Sequence, residues 1–251
     1  MGVFDLFSKE GRDQRAREKN ISRAVHKYAQ SPDRMKALQS LRDDGSPEAI
    51  YGMMRRFGMM YDKTIEDEQE KEWVFEVLVE KGASIIPSVQ KYLFSADSIS
   101  WPLRLLDKIA NKEQELEVIK SVLDRHEPGY ERDPTKKIQL LNHLAALKDA
   151  RVPTLVLPYL ADMDEGVRYA AAEALIRGGN EEIAREPLLV QFISPSEDSL
   201  RIRICIADGF AERGWLVKGH RGELEKRLPE QFQLDREGHI KRKPEAQKKD
   251  S

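Results

Sequence analysis

Apolar residues along this chain recur at helical spacing. Six times a basic residue, or a stand-in for it, lies seven places before a bulky apolar one: Arg34/Leu41, Lys71/Leu78, Pro102/Ile109, Lys137/Leu144, Arg168/Leu175 and Arg203/Phe210. The six starts lie 31 to 37 residues apart, a period that stacked helical pairs produce. Three and four places after the basic position every residue is apolar: Ala37 and Leu38, Val74 and Phe75, Leu105 and Leu106, Leu140 and Leu141, Ala171 and Ala172, Ile206 and Ala207. These positions share one broad helical face with the basic residue. The pattern therefore predicts that this face is core and that the charge inside it is paired.

Glycine and proline punctuate the blocks. Gly45, Gly82, Gly178, Gly179 and Gly214 follow the repeating helices, where a left-handed residue ends a helix. Pro47, Pro87, Pro153 and Pro187 lie near the starts of the alternate helices, where a missing N–H costs least. The spacing predicts first helices over 16–29, 47–60, 84–94, 113–125, 151–160 and 181–193. It predicts second helices over 33–44, 66–81, 99–110, 134–147, 165–177 and 199–213. An acid precedes most second helices: Asp67, Asp97, Asp133, Asp164 and Asp198, where it can accept from free N–H groups.

The clearest unit reads DEGVRYAAAEALIRGG over residues 164–179, and the next reads EDSLRIRICIADGFAERG over 197–214. This pattern of Asp, Val-Arg, small residues and Ala-Leu resembles HEAT repeats, particularly the HEAT-like repeats of phycobilin lyases and many bacterial proteins. The resemblance covers most of 16–214 and is closest over 150–214. It is weakest at the third unit, where Pro102 stands in the basic position. It implies an all-α fold: a right-handed α-α superhelix, or HEAT-like solenoid, of about six helical pairs. It also implies a buried polar ladder between neighbouring repeats, here Asp164, Arg168, Asp198 and Arg203. Pro102 interrupts that ladder at its middle.

The opposite face of the second helices carries the functional expectation. Five places after the basic position stand Gln39, Glu76, Asp107, Asn142, Glu173 and Asp208, all acid or amide. Flanking positions add Trp73, Arg104, Gln139 and His143. The resemblance implies that second helices line the concave side, making this column an acidic ridge along a groove. Such a ridge would bind another protein through a basic or polar peptide segment, with Trp73 as aromatic anchor. A plain solvated face is the alternative, because any amphipathic helix turns polar residues to water. The lack of any lysine or arginine in the column is what keeps the binding reading open beside it.

Composition narrows the classes. The net charge is −2, which favours neither nucleic acid nor an anionic membrane. A single cysteine, Cys205, forms no internal disulfide and no thiolate metal site by itself. The five histidines are scattered, without zinc-ligand spacing, so no metal, cofactor or catalytic residue is assigned. No phosphate loop, dinucleotide fingerprint or nucleophile elbow is present. No apolar run approaches the roughly 20 residues that span a bilayer, and the start lacks a secretory pattern, so a cytoplasmic location is expected.

Three segments fall outside the columns. MMRRFGMMYD, residues 53–62, gathers methionines that suit either an irregular core or an adaptable surface. HEPGYERDP, residues 126–134, is a long connector carrying Tyr130 and Arg132. Residues 215–251 leave the repeat, with a short helix near 222–228 and a hairpin around Asp235–Gly238. The expected organisation is an N-terminal segment 1–15, a repeat array 16–214 and a cap 215–251 with a basic, disordered tail able to dock in the groove. The expected function is a non-catalytic binding scaffold. The alternatives are a cofactor-handling protein like the phycobilin lyase subunits and, less favoured, a nucleic-acid binder.

Overall fold

The computed structural model of the chain describes residues 9–60 and 64–244. Thirteen α-helices and one small antiparallel sheet make up the regular structure of these residues. The helices are α1 (Lys9–Ala24), α2 (Ser31–Asp44), α3 (Pro47–Met54), α4 (Thr64–Glu80), α5 (Ile86–Ser95), α6 (Ser100–Ile109) and α7 (Lys112–Leu123). They continue as α8 (Thr135–Leu147), α9 (Val152–Val156), α10 (Glu165–Gly178), α11 (Glu181–Ile193), α12 (Leu200–Arg213) and α13 (Arg221–Arg227). Tight 3₁₀ turns follow α3 at Arg55–Gly58 and α9 at Leu157–Ala161, and one precedes α5 at Gly82–Ile85. Strands β1 (Phe232–Leu234) and β2 (Ile240–Arg242) pair antiparallel, with Leu234 opposite Ile240. No described helix is long and apolar enough to cross a membrane.

The expected helical pairs are present, and their ends follow local chemistry. Ser46, Asp164, Asn180 and Ser199 each accept a backbone N–H three residues on, opening α3, α10, α11 and α12. Gly45, Gly179 and Gly214 close α2, α10 and α12 in the left-handed conformation. Two placements differ from expectation. The first helix runs over Lys9–Ala24, earlier than 16–29, because its polar start gives no apolar period to read. Pro187 lies inside α11, not at its start, and denies the Ile183 carbonyl its helical donor. At the C-terminal end the expected short helix and hairpin are both formed, and the tail beyond residue 244 lies outside the described residues.

Packing divides the chain in two, residues up to Val118 and residues from Ile119, with the division inside α7. In the first unit α1, α3 and α5 are successive neighbours, and so are α2, α4 and α6. Between these rows lie Leu38, Leu41, Met53, Met54, Val74, Leu78, Leu93 and Leu105, all fully buried. Thus Met53 and Met54 fill the core, whereas Met60 is exposed; Tyr61 and Asp62 lie outside the described residues. In the second unit α10 packs between α8 and α12, and α11 packs on α12 and α13. The approach of α12 to α10 depends on Gly209, where a Cβ would meet Ile176 Cδ1 at 2.5 Å. Strand β2 packs on α12, burying Phe232 and Ile240 of the hairpin.

Candidate binding face

The core side of the second helices holds the charges that the pattern required to be paired. In the second unit they form a chain. Lys137 Nζ reaches Asp162 Oδ2 at 2.9 Å, with both side chains fully buried. The Asp162 backbone carbonyl accepts from Arg168 Nη1 at 3.1 Å. Arg168 Nε then reaches Glu197 Oε2 at 2.8 Å, and the Glu197 carbonyl accepts from Arg203 Nη1 at 3.0 Å. Each acid lies six residues before a repeat's cation. Its carboxylate binds the previous repeat's cation while its carbonyl binds its own. Lys137 also fastens the 126–134 connector, donating to the carbonyls of Glu127 and Gly129.

The acids in this chain correct the expected ladder. Asp164 caps α10 by accepting from Val167 N–H, and Asp198 is exposed. Arg168 and Arg203 serve as expected rungs, but Asp162 and Glu197 are the acids they meet. An acid four or five places before the cation lies at or just before the helix start: Asp164 is itself the cap of α10, and Asp198 precedes Ser199, the cap of α12. A residue six places before lies in the connector that turns back toward the previous repeat.

The first unit uses a closed cluster instead. Arg34, Arg56, Asp67, Glu70 and Lys71 are all buried. Glu70 accepts from Arg34 Nη2 at 2.8 Å, Arg56 Nε at 2.9 Å and Ser31 Oγ at 2.6 Å. Asp67 accepts from Arg56 Nη2 at 2.6 Å and Lys71 Nζ at 2.5 Å. Burial pushes the carboxyls of Asp67 and Glu70 up, but the hydrogen bonds from these cations outweigh it and hold both below their ordinary values. The same balance lowers Asp162, through Lys137, and Glu197, through Arg168.

The outer face is polar, as the column predicted. Gln39, Glu76, Asp107 and Asn142 are exposed, and Glu173 and Asp208 are half-buried. On adjacent helices α4 and α6 of the first unit stand Trp73, Glu76, Arg104 and Asp107. Trp73 is half-buried, with the Arg42 guanidinium 5.9 Å from its ring centre. Arg104 lies 4.4 Å from the Trp101 ring and 5.0 Å from Phe75, contacts that cation–π attraction favours. Trp101 in turn stacks on Phe57 with centroids 5.5 Å apart. Asp107 lies 3.7 Å from Lys108, with both exposed, and Glu76 forms no ion pair among the described residues.

The column is more occupied in the second unit. Glu173 pairs with Arg177, one turn on. Asp208 accepts from Arg242 Nε at 2.6 Å and Nη2 at 2.7 Å, tying the hairpin to α12. Gln139 and His143 are half-buried on α8, next to exposed Asn142. Cys205 is half-buried beside this column. Burial, together with Glu173 and Asp208, pushes its thiol up to about 12, so it stays protonated near neutral pH. Asp235, Glu237 and His239 bring ligand atoms within 4.8 Å of one another. Asp235 there already accepts three backbone N–H groups of the hairpin turn and Lys241 Nζ at 2.7 Å.

Column reading missed Trp101, Phe57 and Phe75 as the seat of Arg104. Trp101 directly precedes Pro102, in the unit whose basic position is lost, so its offset carried no signal. A scan against protein-family models and a search of curated proteins both return no match for this chain.

Proposed function

We propose that this chain is a non-catalytic binding module, a HEAT-like α solenoid that holds a basic or polar peptide segment of another protein against its second helices. In such a solenoid these helices line the concave side. The observation that carries the reading is the open polar column of the first unit. Glu76 and Asp107 stand exposed on neighbouring helices, beside the half-buried Trp73 and the Arg104–Trp101–Phe75 cluster. Carboxylates open to water can exchange hydration for charge-assisted bonds to a lysine or arginine, while an indole edge supplies apolar area. The second unit's Glu173 and Asp208 are half-buried and held by Arg177 and Arg242, whereas Glu76 and Asp107 are open to water, Asp107 with only the exposed Lys108 beside it, so the first unit contributes most of the charge recognition.

Selection from a random peptide library tests this. The wild-type chain is expected to enrich peptides containing lysine or arginine. Glu76→Lys/Asp107→Lys is expected to abolish that enrichment, and Trp73→Ala to weaken it. Enrichment of acidic peptides by the wild type, or of the same peptides by the charge-reversed chain, contradicts the reading.

A further inference from the structure

The second unit contains two guanidinium groups that share one neutral oxygen. Arg203 Nη1 donates to the Glu197 carbonyl at 3.0 Å, and Arg227 Nη2 donates to the same carbonyl. Both Nε atoms are buried and have no hydrogen-bond acceptor among the described residues. The Glu197 carboxylate is committed elsewhere, to Arg168, to Gln191 and to the Ser199 N–H. Two full positive charges therefore stand side by side against a dipole. Neither has a carboxylate partner among the described residues, an arrangement that calls for an anion.

These side chains line a cleft of about 560 Å³ between the start of α12 and the segment that follows α13. Lys226 adds a third cation to its wall, and Glu230 is the acid on that wall. The cleft lies at the N-terminal end of α12, whose dipole also favours negative charge. Leu200, Leu228 and Pro229 give the cleft an apolar side, and Leu200 is 53% exposed.

We infer that this cleft binds a small phosphorylated ligand, its phosphate held by Arg203, Arg227 and Lys226. A phosphate dianion offers several acceptor oxygens to forked guanidinium donors and matches three cations better than a single carboxylate does. The apolar wall would take an organic group esterified to that phosphate. Arg203 contributes to the rung chain through Nη1 and also lines this cleft.

Titration calorimetry of the full chain, with inorganic phosphate and with phenyl phosphate, tests the assignment. Wild type is expected to bind saturably. Lys226→Gln/Arg227→Gln is expected to weaken binding at least about fivefold, as loss of charge-assisted bonds implies. Arg227→Lys is expected to restore part of it. Tighter binding of phenyl phosphate assigns an organic phosphate monoester; equal affinities assign free phosphate. Circular dichroism checks the fold, and Lys226→Gln alone, at an exposed position, serves if the double variant unfolds. No saturable binding of either probe by wild type, or unchanged affinity in the folded variant, overturns the inference.

Discussion

The two units bury the cations of their second helices with different wiring. The second unit strings Lys137, Asp162, Arg168, Glu197 and Arg203 into a chain, in which each acid joins two repeats. The first unit gathers Arg34, Arg56, Asp67, Glu70 and Lys71 into one knot, with Arg56 supplied from just beyond α3. The chain needs an acid at a fixed spacing in each connector. The knot needs only that distant side chains converge. A repeated sequence can therefore keep its buried cation while the partner changes, and the partner decides which single loss is most damaging.

The largest effect expected is at the knot. Glu70→Gln leaves Arg34 and Arg56 without their shared anion in a dry site and should cost about 3–5 kcal/mol in urea unfolding. Arg34→Met/Arg56→Met/Glu70→Leu should cost less than that single change, because buried ion clusters are often replaceable by apolar packing. A triple variant worse than Glu70→Gln would show that the knot stabilises the unit outright. At the chain, Glu197→Gln should cost about 2 kcal/mol, since Arg168 is 14% exposed and partly solvated. The Glu197 carbonyl keeps its bond to Arg203 in that variant, so the damage stays at one rung.

Acid sharpens the comparison further. The carboxyls of Asp67, Glu70, Asp162 and Glu197 are all depressed in the folded chain. Unfolding raises them, so the unfolded chain binds protons more readily at low pH. The stability they contribute is complete above about pH 4.5 and is lost as pH falls through the folded values. Unfolding free energies measured from pH 6 downward should therefore decline steeply below about pH 4 in wild type and less steeply in Glu70→Gln. Equal slopes would remove Glu70 from the acid response. The smallest effect belongs to the hairpin contact: Arg242→Gln, which breaks a partly exposed pair with Asp208, should cost at most about 1 kcal/mol.

Much of this architecture was legible along the chain, because helix ends are local events. Ser46, Asp164 and Ser199 announce starts, and Gly45, Gly179 and Gly214 announce stops, whatever surrounds them. The apolar columns identified the buried face for the same reason. The start of α1 was not legible, since a polar, arginine-rich stretch carries no period. The partners of the buried cations were half legible. Their need for pairing follows from position, yet Asp162 lies two residues, and Glu197 one residue, before the acid that the pattern pointed to. Arg56 and Glu70 are neighbours only after folding. The outer column is exposed at Gln39, Glu76, Asp107 and Asn142 and half-buried at Glu173 and Asp208; the pairing of those last two depends on Arg177 and Arg242, which the acid and amide column does not contain.

The proposed function rests on the second-helix face holding a protein partner. The measurement that tests it most directly is affinity capture from native lysate by wild type and by Trp73→Ala/Glu76→Lys/Asp107→Lys/Glu173→Lys, both confirmed folded by circular dichroism. The account predicts a partner with a basic or polar segment, retained by wild type and lost by the variant. Equal retention by both proteins would contradict it and move the binding surface away from these helices.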